Sequence, residues 1–171
     1  MKIRTGFVSN SSSSSFIVTF TKDPTDINNL REQMGDCFPV WYDNWEFTTE
    51  DIINRVYKDI MNQREFHARI LAGEIEPQEL ANIDAEYSDL EDDLYYTLSA
   101  DNPELTWDGP EMQEASKKLF QRCLTRFQNK LKQNTSWEYH FEYSDNDGSF
   151  FSALEHGEIF RNLEYDRISH H

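Results

Sequence analysis

The sequence predicts an α+β fold, in which a small antiparallel or mixed sheet from the N- and C-terminal segments is covered by a helical middle. Three observations carry this. Phe16 to Thr21 near the start is rich in β-branched and aromatic residues, the composition of a strand. Trp137, Tyr139, Phe141 and Tyr143 alternate with Glu138, His140, Glu142 and Ser144 near the end, the two-residue period of a half-exposed strand. Between them apolar residues recur at spacings of three and four. At 171 residues, 14% of them aromatic, the chain can bury a substantial core. It reads as one domain, 1–171: a strand and serine segment over 1–21, a helical middle over 25–133, and a strand–helix–strand unit over 137–171.

Taken in order, residues 3–8 and 16–21 read as strands, and if they pair, the serines between them form a hairpin loop. Thr25 to Gly35 reads as a short helix, with Ile27, Leu30 and Met34 on one face and Gly35 as its stop. An aromatic knot, Phe38 to Tyr42, follows, and Trp45 and Phe47 flank Glu46 as in a short strand. Thr48 opens the next helix, with Asp51 three residues on as in a capping box. Its buried stripe is Ile52, Ile53, Val56, Tyr57 and Ile60, continued by Phe66, Ile70 and Leu71 until Gly73. Pro77 suits a first helical turn, and Leu80, Ile83, Tyr87, Leu90 and Leu94 give the cleanest helical period in the chain. After breaks at Asp101-Asn102-Pro103 and Asp108-Gly109-Pro110, a long helix runs from about Glu111 to Lys132. Its apolar side is Phe120, Cys123, Leu124, Phe127 and Leu131, and Lys118, Arg122, Arg126 and Lys130 form a basic row four residues apart. Beyond the Trp137 strand, Asp145 to Gly148 turns the chain. Ser149 to Leu163 reads as helical with a weak point at Gly157, and Tyr165 to His170 as a last strand.

Composition excludes several classes. The apolar runs are too short for a membrane span or a signal peptide, so a cytoplasmic location is expected. Cys37 and Cys123 stand far apart and form neither a CxxC pair nor a disulfide scaffold. The net charge is −16, and its layout is uneven. Between Ile70 and Ser116 lie fourteen acids and no Lys or Arg, whereas Lys117 to Trp137 carries six bases and no acid. Such a balance argues against direct nucleic-acid binding, which needs a basic footprint, and steers the chain toward cationic partners.

Three groups of residues are candidate sites. Ser11, Ser12, Ser13, Ser14 and Ser15, with Arg4 nearby, could surround a phosphate or carboxylate with hydroxyls and backbone N–H groups. The run leads into a strand and lacks the glycines and Lys of a phosphate-binding loop, and a solvated turn explains it equally well.

The opening Lys2 to Asn10, the serines and Phe16-Ile17-Val18 resemble a start shared by uncharacterised proteins of tailed phages and bacteria. The ending, from Asp147-Gly148-Ser149 through Leu154-Glu155-His156-Gly157 to Arg167-Ile168-Ser169-His170-His171, is similar to the C-terminal part of such proteins. The resemblance spans roughly a quarter of the chain. It implies a phage or prophage setting and carries no activity, so it assigns no catalytic residue.

The second group is C-terminal: His140, Glu142, Glu155, His156, His170 and His171. His140, Glu155 and His156 are the candidates for proton transfer; His140, Glu142, His156 and His170 are those for a divalent metal, a cofactor the composition allows without favouring. Asp145-Asn146-Asp147-Gly148 is not a calcium loop, because its first and twelfth positions would be Tyr143 and Leu154.

The third group is the acidic stretch Glu76, Glu79, Asp84, Glu86, Asp89, Glu91, Asp92 and Asp93. Pairing with the basic row would account for part of it, yet fourteen acids against six bases leave about eight carboxylates for water or a basic partner. The expectation is therefore a small acidic accessory protein that binds a basic host or phage protein, with nucleic-acid mimicry as one mode. The alternative is an enzyme or binding domain for a phosphate-bearing small molecule, using the serines with the C-terminal His and Glu residues.

Overall fold

A computed structural model describes residues 13–39, 47–83, 85–102, 104–134 and 136–170. These group into two compact units: Phe66–Asn134, and the residues on either side of that stretch.

The flanking residues contain a three-stranded antiparallel sheet, β1 (Ser13–Phe20), β2 (Trp137–Ser144) and β3 (Glu164–His170), in the order β2-β1-β3. The two ends of the chain do make the sheet, as the alternation predicts. β1 is central, however, pairing with β2 from Ser13↔Ser144 to Phe20↔Trp137 and with β3 from Ser13↔His170 to Thr19↔Glu164. One expectation changes: Ser13, Ser14 and Ser15 are strand, not loop, because their backbone groups enter these ladders. Residues 3–8, read as the partner strand of a hairpin, lie with Trp45 outside the described part of the chain.

Every second residue of β1 is buried, so Ser14, Phe16, Val18 and Phe20 face inward with Tyr139, Phe141 and Tyr143 of β2. Against this face pack α1 (Ile27–Met34) through Leu30 and Met34, the first half of α2 (Thr49–Ala72) through Ile52, Ile53, Val56 and Ile60, and α6 (Ser149–His156) through Leu154. Phe16 sits among rings, 5.5 Å from Phe160 and 6.1 Å from both Tyr143 and Tyr165, and each such pair contributes ~0.5–1.5 kcal/mol beyond its buried area. Asp26 caps α1 by accepting from the Asn28 and Asn29 N–H groups. Thr48 and Asp51 make the capping box of α2: the Thr48 N–H donates to Asp51 at 2.6 Å and the Asp51 N–H to the Thr48 hydroxyl at 3.3 Å. The last predicted helix stops at His156. A Cβ on Gly157 would lie 2.3 Å from the Ala153 carbonyl and 2.8 Å from Pro39, so only glycine fits where the chain leaves α6.

The second unit contains the end of α2, α3 (Pro77–Ile83), α4 (Ala85–Asp101) and α5 (Pro110–Gln133). Ile70, Ile75, Leu80, Tyr87, Leu119, Phe120, Cys123 and Leu124 form its core. Gln128 donates to the Ile70 carbonyl at 2.8 Å, a group at the end of α2 that also accepts the Gly73 N–H at 3.0 Å. Among the described residues no helix is long and apolar enough to cross a membrane.

Candidate functional site

The serines and the C-terminal residues do meet, through one serine. Ser14 is wholly buried on the inner face of β1, and its hydroxyl donates to Glu155 Oε1 at 3.1 Å. Glu155 is itself 1% exposed, and its Oε2 accepts the Asp145 N–H at 2.9 Å. Arg167 closes the cluster from β3: Nε and Nη2 donate to the Ser14 oxygen at 3.2 and 3.0 Å, and Nη2 lies 3.4 Å from His156 Nδ1. His156 Nε2 stands 3.6 Å from Glu155 Oε2. The guanidinium also lies over the Phe16 ring, 5.6 Å from its centre. The cluster thus ties β1, β3, α6 and the turn after β2 together. Removing one partner would leave a buried charge or hydroxyl without its bond, which costs several kcal/mol for an ion.

The arrangement is saturated. Ser14 gives its proton to Glu155 and receives Arg167 on its oxygen, and both oxygens of Glu155 are engaged. Ser14 and its acceptor Glu155 are both enclosed, and no hydrogen bond joins His156 to Ser14, so the histidine is not placed as a base for the serine. Asp145, Glu155 and His156 offer ligand atoms within 4.8 Å of one another, a grouping the expected metal set did not include. It fits a metal poorly. Arg167, a permanent donor and cation, makes Nδ1 of His156 the acceptor, which leaves the proton on Nε2, the nitrogen facing the carboxylate. A divalent ion would have to displace that proton beside a guanidinium charge.

The other members of the expected C-terminal site lie elsewhere. His140 and Glu142 are exposed on the outer face of β2, whereas Ser14 and Glu155 are on the inner side. The sheet itself separates them. His140 is 3.6 Å from Glu138 and borders a groove of about 230 Å³ with Glu142, Arg55, Asp59 and Gln63. Gln63 donates to the His140 carbonyl at 2.6 Å and accepts its N–H at 3.0 Å, occupying the edge of β2 as a neighbouring strand would. On the same helix Asp59 holds Arg55 at 3.0 Å and accepts the Tyr143 hydroxyl at 3.2 Å; burial, then the Asp59 charge, pushes that phenol well above its ordinary range. His170 pairs with Ser13 in β3, but its side chain, like Arg4, Ser11, Ser12 and His171, lies outside the described part of the molecule.

The acidic group divides. Glu79 is a structural residue: it accepts the Glu76 N–H at 2.9 Å and pairs with Arg69 at 2.8 Å, and these contacts hold its carboxyl below the usual range. Burial, then the charge of the half-buried Glu91 and of Cys123, pushes the enclosed Tyr87 hydroxyl up to about 12. Asp84 and the Glu86 side chain are outside the described part. Asp89, Asp92 and Asp93 are exposed and form no ion pair among the described residues. With Tyr96, 70% exposed, they follow the i, i+3, i+4, i+7 spacing of one helix face. Tyr95 stacks on the half-exposed Trp107, with ring centres 4.1 Å apart and planes 9° from parallel, and meets Tyr96 edge-on. The solvent face of α4 is therefore three carboxylates followed by an aromatic cluster.

Sequence reasoning missed Arg167 and Asp145. Arg167 follows Tyr165 by two residues on a predicted strand, so it shares the inward face of that ring; the alternation held the signal. Nothing local marked the Asp145 N–H as a donor to Glu155. Comparison of the chain with protein-family models, curated proteins and solved structures finds no match.

Proposed function

We propose that the chain is a small acidic accessory protein, of a phage or prophage, that acts by binding a basic host or phage protein through the outer face of α4. The observation that carries this is the stripe Asp89, Asp92, Asp93 and Tyr96, exposed and without an ion pair among the described residues. A row of carboxylates attracts Lys and Arg and can stand in for phosphates in a nucleic-acid-binding groove. Tyr95, Tyr96 and Trp107 supply the flat rings on which guanidinium groups stack. The phosphate-ligand alternative is the weaker reading, because Ser14 and Glu155 are buried and fully bonded and His140 belongs to the opposite side of the sheet.

Capture from a bacterial lysate by the immobilised chain tests the proposal. Cationic proteins retained by the wild type are expected to be lost from a D89N/D92N/D93N variant, and from the wild type at about 1 M salt, where the screening length is roughly 3 Å. Equal retention by the wild type and the variant would remove α4 as the binding face.

A further inference from the structure

On the other side of Asp93 the helical unit has a groove that no described element fills. Leu90, Leu94 and Thr97 of α4 and Ala115 and Leu119 of α5 line a depression of about 480 Å³, with Asp93 on one rim and Lys118 and Arg122 on the other. Leu90 and Leu94 are only half-buried, although they continue the apolar stripe that begins at the enclosed Tyr87. The rims are of opposite sign, Asp93 of α4 against Lys118 and Arg122 of α5, all exposed. Arg122 and Lys130, like the three aspartates, have no ion pair among the described residues; Lys118 pairs with Glu114 of its own helix.

We propose that this groove is a self-association surface, its occupant the same groove of a second copy of this chain. The charge layout selects that occupant. An all-basic helix would suit the aspartate rim and be repelled by Arg122, and an acidic one the reverse. A second copy related by a two-fold axis parallel to α4 and α5 lays its acidic ridge over the first copy's basic ridge. The level along the groove is preserved, so Asp93 of each copy meets Arg122 and Lys118 of the other. The four helices then enclose Leu90, Leu94, Ala115 and Leu119 between two seams of opposite charge, as in a four-helix bundle with charged flanking positions. A two-fold axis across the helices would set aspartates against aspartates. The −16 charge of each chain opposes association at low salt, but at about 0.15 M the screening length of roughly 8 Å weakens that long-range repulsion more than the contacts across the seams.

Sedimentation equilibrium of the whole chain at about 0.15 M salt is the test. The wild type is expected at twice the single-chain mass. Arg122→Glu sets a carboxylate against Asp93 of the other copy, and Asp93→Lys sets a cation against Lys118 and Arg122 of the other copy, so each alone should raise the dissociation constant about tenfold or more. An equimolar mixture of the two variants should dimerise again, because the rims now complement across different chains; this also establishes that both variants are folded. The proposal is overturned if the wild type stays at single-chain mass up to about 100 µM, if Arg122→Glu dimerises like the wild type, or if the mixture does not recover. A single-chain wild type that binds a labelled amphipathic helix in the groove would likewise overturn it, assigning the groove to another partner.

Discussion

The two compact units use charge in opposite ways. In the sheet unit, polar groups are drawn inward and bonded to residues far away in sequence: Ser14 to Glu155, Tyr143 to Asp59, Gln63 to the His140 backbone, and Arg64 to both Tyr139 and Asp23. In the helical unit the core is apolar, its enclosed phenol, Tyr87, has no hydrogen-bond partner among the described residues, and Asp89, Asp92 and Asp93 of α4 face solvent. The Ser14–Glu155 cluster of the first unit therefore maintains the fold, whereas Asp89, Asp92 and Asp93 of the second face solvent without an ion pair among the described residues. This is why the acidic stretch carries the functional reading and the histidine–carboxylate cluster does not, although the latter has more of the residue types that perform chemistry.

The largest effect that could break the contrast is at the two groups of carboxylates. Glu155→Ala removes the buried acceptor of the Ser14 hydroxyl and the Asp145 N–H; a loss of about 2–4 kcal/mol is expected. Neutralising Asp89, Asp92 and Asp93 together should change stability by no more than about 0.5 kcal/mol per site. Urea unfolding followed by circular dichroism compares them directly. A mild Glu155→Ala, or a triple variant that unfolds, would mean the roles of the two groups had been exchanged.

A smaller but sharper test makes one chemical change in both units. Tyr143→Phe removes the donor to Asp59 and should destabilise by about 1 kcal/mol. Tyr87→Phe removes a buried hydroxyl that has no partner, so stability should stay level or rise slightly. The difference in sign is the prediction; two losses of equal size would show that Tyr87 has an acceptor after all.

What could be read from the sequence divides along a similar line. Strand alternation in Trp137–Ser144, the helical stripe from Ile52 to Ile60 and the stop at Gly73 are local patterns, and each marks an element present in the structure. The central place of β1 was not legible, because Ser13–Ser15 have the composition of a turn and become strand only when β2 and β3 arrive on both sides. Nor was the separation of His140 from His156. Both were within reach of a common site in sequence terms, and only the register, with Ile17 opposite His140 and Ser14 opposite Tyr143, fixes which face each residue takes. Alternation put Arg167 on the face of Tyr165, but its partner Ser14, 153 residues away, was not legible. The exposure of α4 was legible in part: the i, i+3, i+4 spacing of Asp89, Asp92 and Asp93 was there to be read, but not that Glu79 would be used as a cap.

That cap is where the two units should behave alike, and the effect is the smallest of the set. Thr48–Asp51 at the start of α2 and Glu76–Glu79 at the start of α3 use the same device, a carboxylate three residues into the helix that accepts the N–H of the capping residue. The Thr48 hydroxyl and N–H lower the pKa of Asp51; the Glu76 N–H, then Arg69, does so for Glu79. A carboxyl whose pKa is lower in the folded state stabilises fully above its unfolded value of about 4, and that contribution disappears as pH falls through the folded value. Asp51→Asn and Glu79→Gln should therefore cost stability at neutral pH and converge on the wild type in acid. Amide exchange at Asp51–Ile53 and at Glu79–Ala81, measured at neutral pH and in acid, would register the loss unit by unit. If exchange in one unit were indifferent to its cap at neutral pH, the helix there would be held by packing alone, and the contrast between the units would extend to their helix ends.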